Sequence, residues 1–281
     1  MLPSLKRHKI ANITATVLIT LLTVMTVAPL VLIVGYVTYK GFNSFSIDLL
    51  IKNPAPVGES GGGVFNGIVG SAIILLIASL AGIPMGIMGG LYLVETRKSA
   101  LKDIVRLCVE ILQGIPSIVI GIIGYILIVI PMHRFSALAG GVALGIMMLP
   151  IIVISTEEVL RLVPVELREA AIALGTPRWR VSVLVVLRTG LGGVISSILL
   201  SLSRIAGETA PLLFTALGSQ FFSTRPDHPI AALTLQIFNY SISPYPEWHS
   251  LGFAASFLLI MFILAINITI RAVLGRMQYY K

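Results

Sequence analysis

The chain has 281 residues, of which 56% are hydrophobic and only 11% charged, with a formal net charge of +8. That balance, with a mean hydropathy of +0.98, excludes an ordinary soluble domain and makes this an integral membrane protein. The single cysteine, Cys108, excludes an internal disulfide framework and reads as a packing residue, while the basic surplus is to be explained by the bilayer and not by nucleic acid.

Apolar runs long enough to span, at roughly 20 residues each, fall near 11–37, 66–94, 111–130, 138–155, 189–217 and 250–272. They predict an all-α polytopic protein with six transmembrane helices. The first run follows "MLPSLKRHK", which looks like the basic region of a signal peptide. The run is too long for one and lacks a small-residue cleavage site, so it is read as a retained anchor. With the N-terminus inside, cytoplasmic segments hold 15 of the 20 Lys and Arg residues, and Lys40, Lys52, Arg134 and Arg225 fall outside with Arg204 inside a span. The positive-inside bias selects this orientation, with both termini cytoplasmic.

The stretch "ESGGGVFNG" lacks the preceding strand and following Lys-Ser or Lys-Thr of a phosphate-cradling loop, and is read as a flexible lead into the second span. Within the second and third runs, Pro84 in "AGIPMGIMGG" and Pro116 in "LQGIPSIVIGIIG" are expected to break their helices, since proline removes a backbone donor. The neighbouring glycines, like Asn267 and Thr269 in the last run, are read as packing residues. In the outer segment 218–249, "HPIAALTLQIFNYS" predicts an interfacial helix ended by the prolines of "PYPEW", with Tyr245 and Trp248 anchored at headgroup level.

Between the fourth and fifth runs, residues 155–188 are too polar to cross lipid and too patterned to be a connector. Pro164 is expected to end a first short helix, and Leu167, Ala170, Ala171 and Leu174 give a second one a shallow apolar stripe. Gly175, Thr176 and Pro177 then supply a glycine stop, a hydroxyl cap and a first-turn proline. A stripe of small residues with mixed charge suits a groove on another protein better than a lipid surface, with Glu166, Arg168 and Glu169 placed at the rim.

At this point the segment "EAAIALG", Glu169 to Gly175, resembles the EAA loop of ABC importer permeases. Where that family continues with an isoleucine and then Leu-Pro, this chain has Val185, Leu187 and Arg188. Together with "GIPSIVIG", "MLPIIVISTEEVLRLVP" and "GETAPLLFTA", the match narrows to the PstA-type permeases of phosphate-specific ABC importers, and covers about residue 63 to the end. The ending "GETAPLL" resembles this side of the permease pair and not the PstC-type side.

The resemblance implies a type I ABC importer permease fold, with residues 1–65 as anchor helix and outer loop and 66–281 as the permease domain. It implies an EAA loop, residues Glu166, Arg168, Glu169, Ala170, Ala171 and Gly175, that couples to a dimeric PstB-type ATPase holding ATP and Mg. The other implied partners are a PstC-type sister permease, an extracytoplasmic PstS-type phosphate-binding protein, inorganic phosphate and the lipid bilayer of a bacterial inner membrane. No cofactor or metal is expected in the chain itself.

The fifth run carries two charges, Arg204 and Glu208, in "SLSRIAGETAPLLF". A charge at mid-helix costs about 2.5–3.5 kcal/mol on insertion, and the twelve Leu, Ile, Val and Phe residues between 190 and 217 return about 0.3–0.6 kcal/mol each, so the span alone is near break-even. Its charged face must meet protein or water. Two readings stay open: a mutual ion pair at spacing four, or an arginine fork offered to a passing oxyanion with Glu208 holding it between turnovers. The resemblance implies the second, with a phosphate path lined by this arginine and glutamate; adjacent Thr209 is a lesser candidate, and Pro211 marks a helix break.

Three function classes follow. An importer permease borrows its ATP hydrolysis, since the sequence carries no Walker P-loop. A secondary anion transporter needs coupling-ion ligands and inverted repeats, which are not evident. An enzyme needs a catalytic constellation, yet His8, His133, His228 and His249 are scattered. The first is the expectation, with phosphate or another oxyanion as cargo.

Overall fold

The computed structural model describes residues 3–56, 59 and 61–278; Ser60 of the glycine-rich lead and Lys281, counted among the cytoplasmic basic residues, lie outside the described residues. Among these the secondary structure is helical apart from two isolated β-bridges, Pro54 with Gly62 and Leu217 with Ile230. In chain order the helices are α1 (Pro3–Asn43), α2 (Ile47–Ile51), α3 (Phe65–Glu95) and α4 (Ala100–Gly114), then α5 (Ser117–Met132), which contains a π-helical stretch at Tyr125–Val129, and α6 (Ala137–Arg161). There follow α7 (Val165–Ala173), α8 (Arg178–Leu187), α9 (Leu191–Ala206), α10 (Ala210–Thr215), α11 (Leu233–Ser241) and α12 (Pro246–Gln278).

Four helices, α1, α3, α6 and α12, are long and apolar enough to cross a membrane; the number rises to as many as six if two bent pairs each count as one span. The pairs are α4 with α5, bent by 107°, and α8 with α9, bent by 71°. Neither the run 111–130 nor the run 189–217 is therefore one continuous helix. In the first, Ile115 takes an extended ψ of 128° and Pro116 one of 136°, as expected for the residue before a proline and for a helix cap. In the second, Gly207 closes α9 with its N–H on the Arg204 and Ile205 carbonyls, and Pro211 opens α10.

The expected break at Pro84 does not occur, because α3 runs unbroken from Phe65 to Glu95. The proline ring stands on the exposed face, where loss of one bond to the preceding turn leaves the buried face intact. That face carries Gly82, Gly86 and Gly90 against Met148, Ile152 and Thr156 of α6. A Cβ at Gly86 would lie 2.7 Å from the Ile152 Cβ, so this helix approach admits only glycine there. The α3–α6 pair forms the centre of the largest apolar cluster, with Ile74, Ala78, Leu144, Met148 and Ile152.

The predicted interfacial helix of the outer segment forms as α11, but it does not lie on a surface. Ile230, Ala232 and Leu235 join the central cluster, and Leu233 N–H donates to Ser71 Oγ at 2.8 Å. Gln236 donates to Asn66 Oδ1, and Asn66 in turn donates to the Ser219 and Gln220 carbonyls. These bonds let a polar segment sit against α3 with its backbone satisfied. Trp248 packs edge-on against Tyr240 in this layer. The C-terminal part of α1 is tied down through Tyr36, Gly41 and Phe42 against Phe253 and Phe257 of α12.

Candidate functional site

The break that ends α9 and the corner between α4 and α5 face one another across a cavity of about 210 Å³. Arg204 and Glu208 both line it, with Gln113, Pro116 and Ser117 from the corner and Met147, Pro150 and Ile151 from α6. Glycine holds the walls close: a Cβ at Gly121 of α5 would fall 2.6 Å from Pro211 Cα, so α5 rests directly on the start of α10.

Arg204 and Glu208 are thus brought together, though not by helical spacing. Arg204 sits in the last turn of α9, where a cation complements the helix dipole, and Glu208 belongs to the non-helical link that follows. No ion pair joins them within 4.0 Å, and among the described residues neither side chain has a hydrogen-bond partner. The Glu208 backbone is fixed instead: its carbonyl accepts from Thr234 Oγ1 at 3.0 Å. Arg204 is exposed within this chain and Glu208 half-buried.

Thr209 does not line the cavity; its carbonyl accepts from the Leu212 and Leu213 amides and starts α10. Gln113 and Ser117 are cavity residues that sequence reasoning missed. The available signal was a pair of polar residues four apart, flanking Gly-Ile-Pro inside an apolar run. Ser117 opens α5, whose first turn leaves amide groups without intrahelical acceptors. An unpaired guanidinium and two polar side chains on one small cavity suit an anion with several oxygens.

The second feature is the loop between α6 and α9. Of the stretch "TEEVLRLV", residues 156–163, assigned from sequence to a short helix of its own, residues 156–161 are the final turns of α6, so the loop proper starts at Leu162. Helix α7 carries the EAA segment and stops at Leu174. Gly175 takes a φ of +82° with its N–H on the Ile172 carbonyl, and Thr176 N–H reaches the Ala171 carbonyl, the two bonds of a Schellman stop. Pro177 and not Thr176 caps α8, and no side chain bonds there.

Glu166, Glu169, Ala170 and Gly175 are exposed and Ala171 is half-buried. They are flanked by Leu162, Leu174 at 87% exposure and Trp179 at 64%. Arg168 is not at the rim. Its side chain is only 19% exposed, donating to Glu95 Oε1 at 2.6 Å and to the Leu160 carbonyl at 3.0 Å, which fastens α7 to the ends of α3 and α6. Among the described residues no group of three or more His, Cys, Asp or Glu is placed to hold a metal ion.

An all-helical membrane chain with a broken, charged span and an exposed helical elbow belongs to a known class of transport protein. Residues 78–279 match the family described as binding-protein-dependent transport system inner membrane component. The chain is 43% identical to the phosphate transport system permease protein PstA of Yersinia pestis over 85% of its own length and 82% of that protein's. It is 42% identical to the protein of the same description from Haemophilus influenzae, over 83% and 82% respectively. It belongs to the PstA family of phosphate transport system permeases and is a multi-pass inner-membrane protein. Among solved structures, an inward-facing form of the MetNI methionine ABC transporter superposes with a TM-score of 0.59 at 20% identity, covering 75% of this chain and 94% of that one; this likeness shows the fold.

Proposed function

We propose that the chain is one of two permease subunits of an ATP-driven phosphate importer, and that Arg204 with Glu208, Gln113 and Ser117 forms the anion-handling part of its half of the path. The observation that carries this reading is the unpaired Arg204 guanidinium on a cavity at a helix break. In lipid an unpaired charge is costly, so that face meets water, the sister permease or the anion. One arginine beside a carboxylate binds phosphate without trapping it: Glu208 repels the fully ionised anion and accepts a proton-mediated hydrogen bond from hydrogen phosphate. Thr209 serves by starting α10 and not by touching the anion.

The chain crosses the membrane six times in this reading, each bent pair counting once, with both termini cytoplasmic as the basic residues require. Residues 1–65 form an anchor and outer loop, and 66–281 the permease domain with its coupling loop at about 162–188. Glu166, Glu169, Ala170, Ala171 and Gly175 meet a dimeric ATPase that binds ATP and Mg, and Arg168 holds that element in place. A sister permease completes the path, and an extracytoplasmic binding protein delivers phosphate. Support comes from the exposed small-residue face of α7 and from the family.

Reconstitution into proteoliposomes tests this. Phosphate accumulation is expected only when this chain, the sister permease, the ATPase, ATP and the loaded binding protein are all present. Uptake driven by an ion gradient through this chain alone contradicts the reading and favours a secondary transporter.

A further inference from the structure

Among the described residues one carboxylate outside the cavity is deeply buried. Glu157, 4% exposed and near the end of α6, accepts from Arg161 one turn on, with Nη2 at 2.6 Å and Nε at 3.1 Å, and from Arg106 of α4. The Arg106 contact joins residues 51 apart in sequence. Around it α4 meets α6 and α3 through Val105 and Val109 against Val153, Ile154 and Leu93. Beside the ion pair lies a void of about 250 Å³ bordered by Arg106, Glu110, Glu157 and Glu158. At this point α4 is held on one side by apolar packing and on the other by charge, next to open space.

Two ends of α4 do different things. Seven residues beyond Arg106, about 10 Å along the helix axis, Gln113 enters the wall of the Arg204 cavity, followed by Ile115, Pro116 and Ser117 at the 107° corner. On the other side of the ion pair, the last turn of α6 offers the Leu160 carbonyl to Arg168 of the elbow. One short stretch of α6, Glu157 to Leu160, therefore holds both the elbow and α4. A shift of the elbow that drags this stretch moves the cavity corner through Glu157 and Arg106.

We infer that Arg106 and Glu157 form the linkage carrying elbow movement to the anion cavity, Arg106 being a positioning residue that sets the Gln113–Ser117 corner against Arg204. An ion pair from a half-exposed arginine to a buried carboxylate suits this work, because it is directional and can re-form in a second arrangement where close packing resists displacement. The inference rests on the reading of the cavity as the anion site and of α7 as the ATPase contact.

The test uses the whole complex in proteoliposomes, reading ATP hydrolysed per phosphate imported. For Arg106→Ala, hydrolysis is expected to persist while this ratio rises by about tenfold. Arg106→Lys restores most of the coupling, because it keeps a charge on Glu157. A wild-type ratio in Arg106→Ala overturns the linkage and leaves the cavity reading untouched; that reading fails separately if Arg204→Ala imports normally. A second measurement needs no risky substitution. Native Cys108 is exposed on α4, and a solvent-sensitive fluorophore there, in a complex with cysteine-free partners, is expected to change emission when nucleotide is trapped on the ATPase. Emission indifferent to nucleotide overturns the proposal even where Arg106→Ala fails to assemble.

Discussion

Arg204→Ala is expected to abolish ATP-driven phosphate uptake while the assembled complex remains intact. The side chain is exposed and makes no hydrogen bond or ion pair among the described residues that its loss would break, so folding does not depend on it. Binding does. Truncating one member of a desolvated charge-assisted contact costs about 2–5 kcal/mol, and with about 1.4 kcal/mol per tenfold uptake falls by about 30-fold to several thousand-fold. Arg204→Lys keeps the charge and loses the planar fork, so it retains a small fraction of transport. Glu208→Gln separates the two readings of the charges. A structural pair predicts that both neutral variants lose stability together, whereas the observed geometry predicts stable complexes with altered transport. Radiolabelled phosphate uptake, with size-exclusion chromatography of the complex, reads both, and normal uptake by Arg204→Ala removes this residue from the path.

The elbow carries the second large effect. Gly175→Val is expected to uncouple the ATPase, because a β-branched residue at a φ of +82° is a backbone outlier. Relief of that strain breaks the two bonds that stop α7 and swings Leu174 and the start of α8 out of register. Space is not the obstacle, since nothing lies within 4 Å of a Cβ there; Gly175→Asn, which tolerates this conformation, is expected to keep coupling. Glu169→Arg reverses an exposed charge without disturbing the backbone and tests the contact itself. Hydrolysis no longer stimulated by the loaded binding protein is the expected readout for Gly175→Val and Glu169→Arg. Intact stimulation in both places the ATPase contact elsewhere.

What the sequence made legible follows the physics that is local. Hydropathy located the four long apolar helices, and the small-residue stripe with its glycine marked the elbow, because helix periodicity and a left-handed stop are properties of neighbouring residues. Breaks were harder to read. Pro84 and Pro116 look alike in sequence, yet the first lies on an exposed face of a helix locked by glycines to α6, while the second follows Gly114 and Ile115 at a free corner. The difference is tertiary. Spacing four brought Arg204 and Glu208 together on paper by a continuous helix, and the chain brings them to one cavity through a break instead.

Long-range pairing stayed invisible. Arg168 looks like a surface charge until Glu95, 73 residues earlier, is placed beside it, and Glu157 with Arg106 is a similar case. The outer segment before α12 read as interfacial because it is a short helical stretch outside the membrane runs, ended by the prolines of "PYPEW". It is buried because Asn66, Ser71 and Gln236 supply the hydrogen bonds that lipid cannot.

Accessibility of the cavity reaches the central claim most directly. Ser117 shares that cavity with Arg204, and Ser117→Cys in a Cys108→Ser background gives it a thiol in the full complex, built on cysteine-free partners. A charged, membrane-impermeant thiol reagent is expected to modify this position from the aqueous side to which the cavity opens, and phosphate is expected to slow the reaction, the slowing vanishing when Arg204→Ala is added. A thiol that reacts from neither side of the membrane, or at one rate with and without phosphate, contradicts an arginine-lined anion path through this chain.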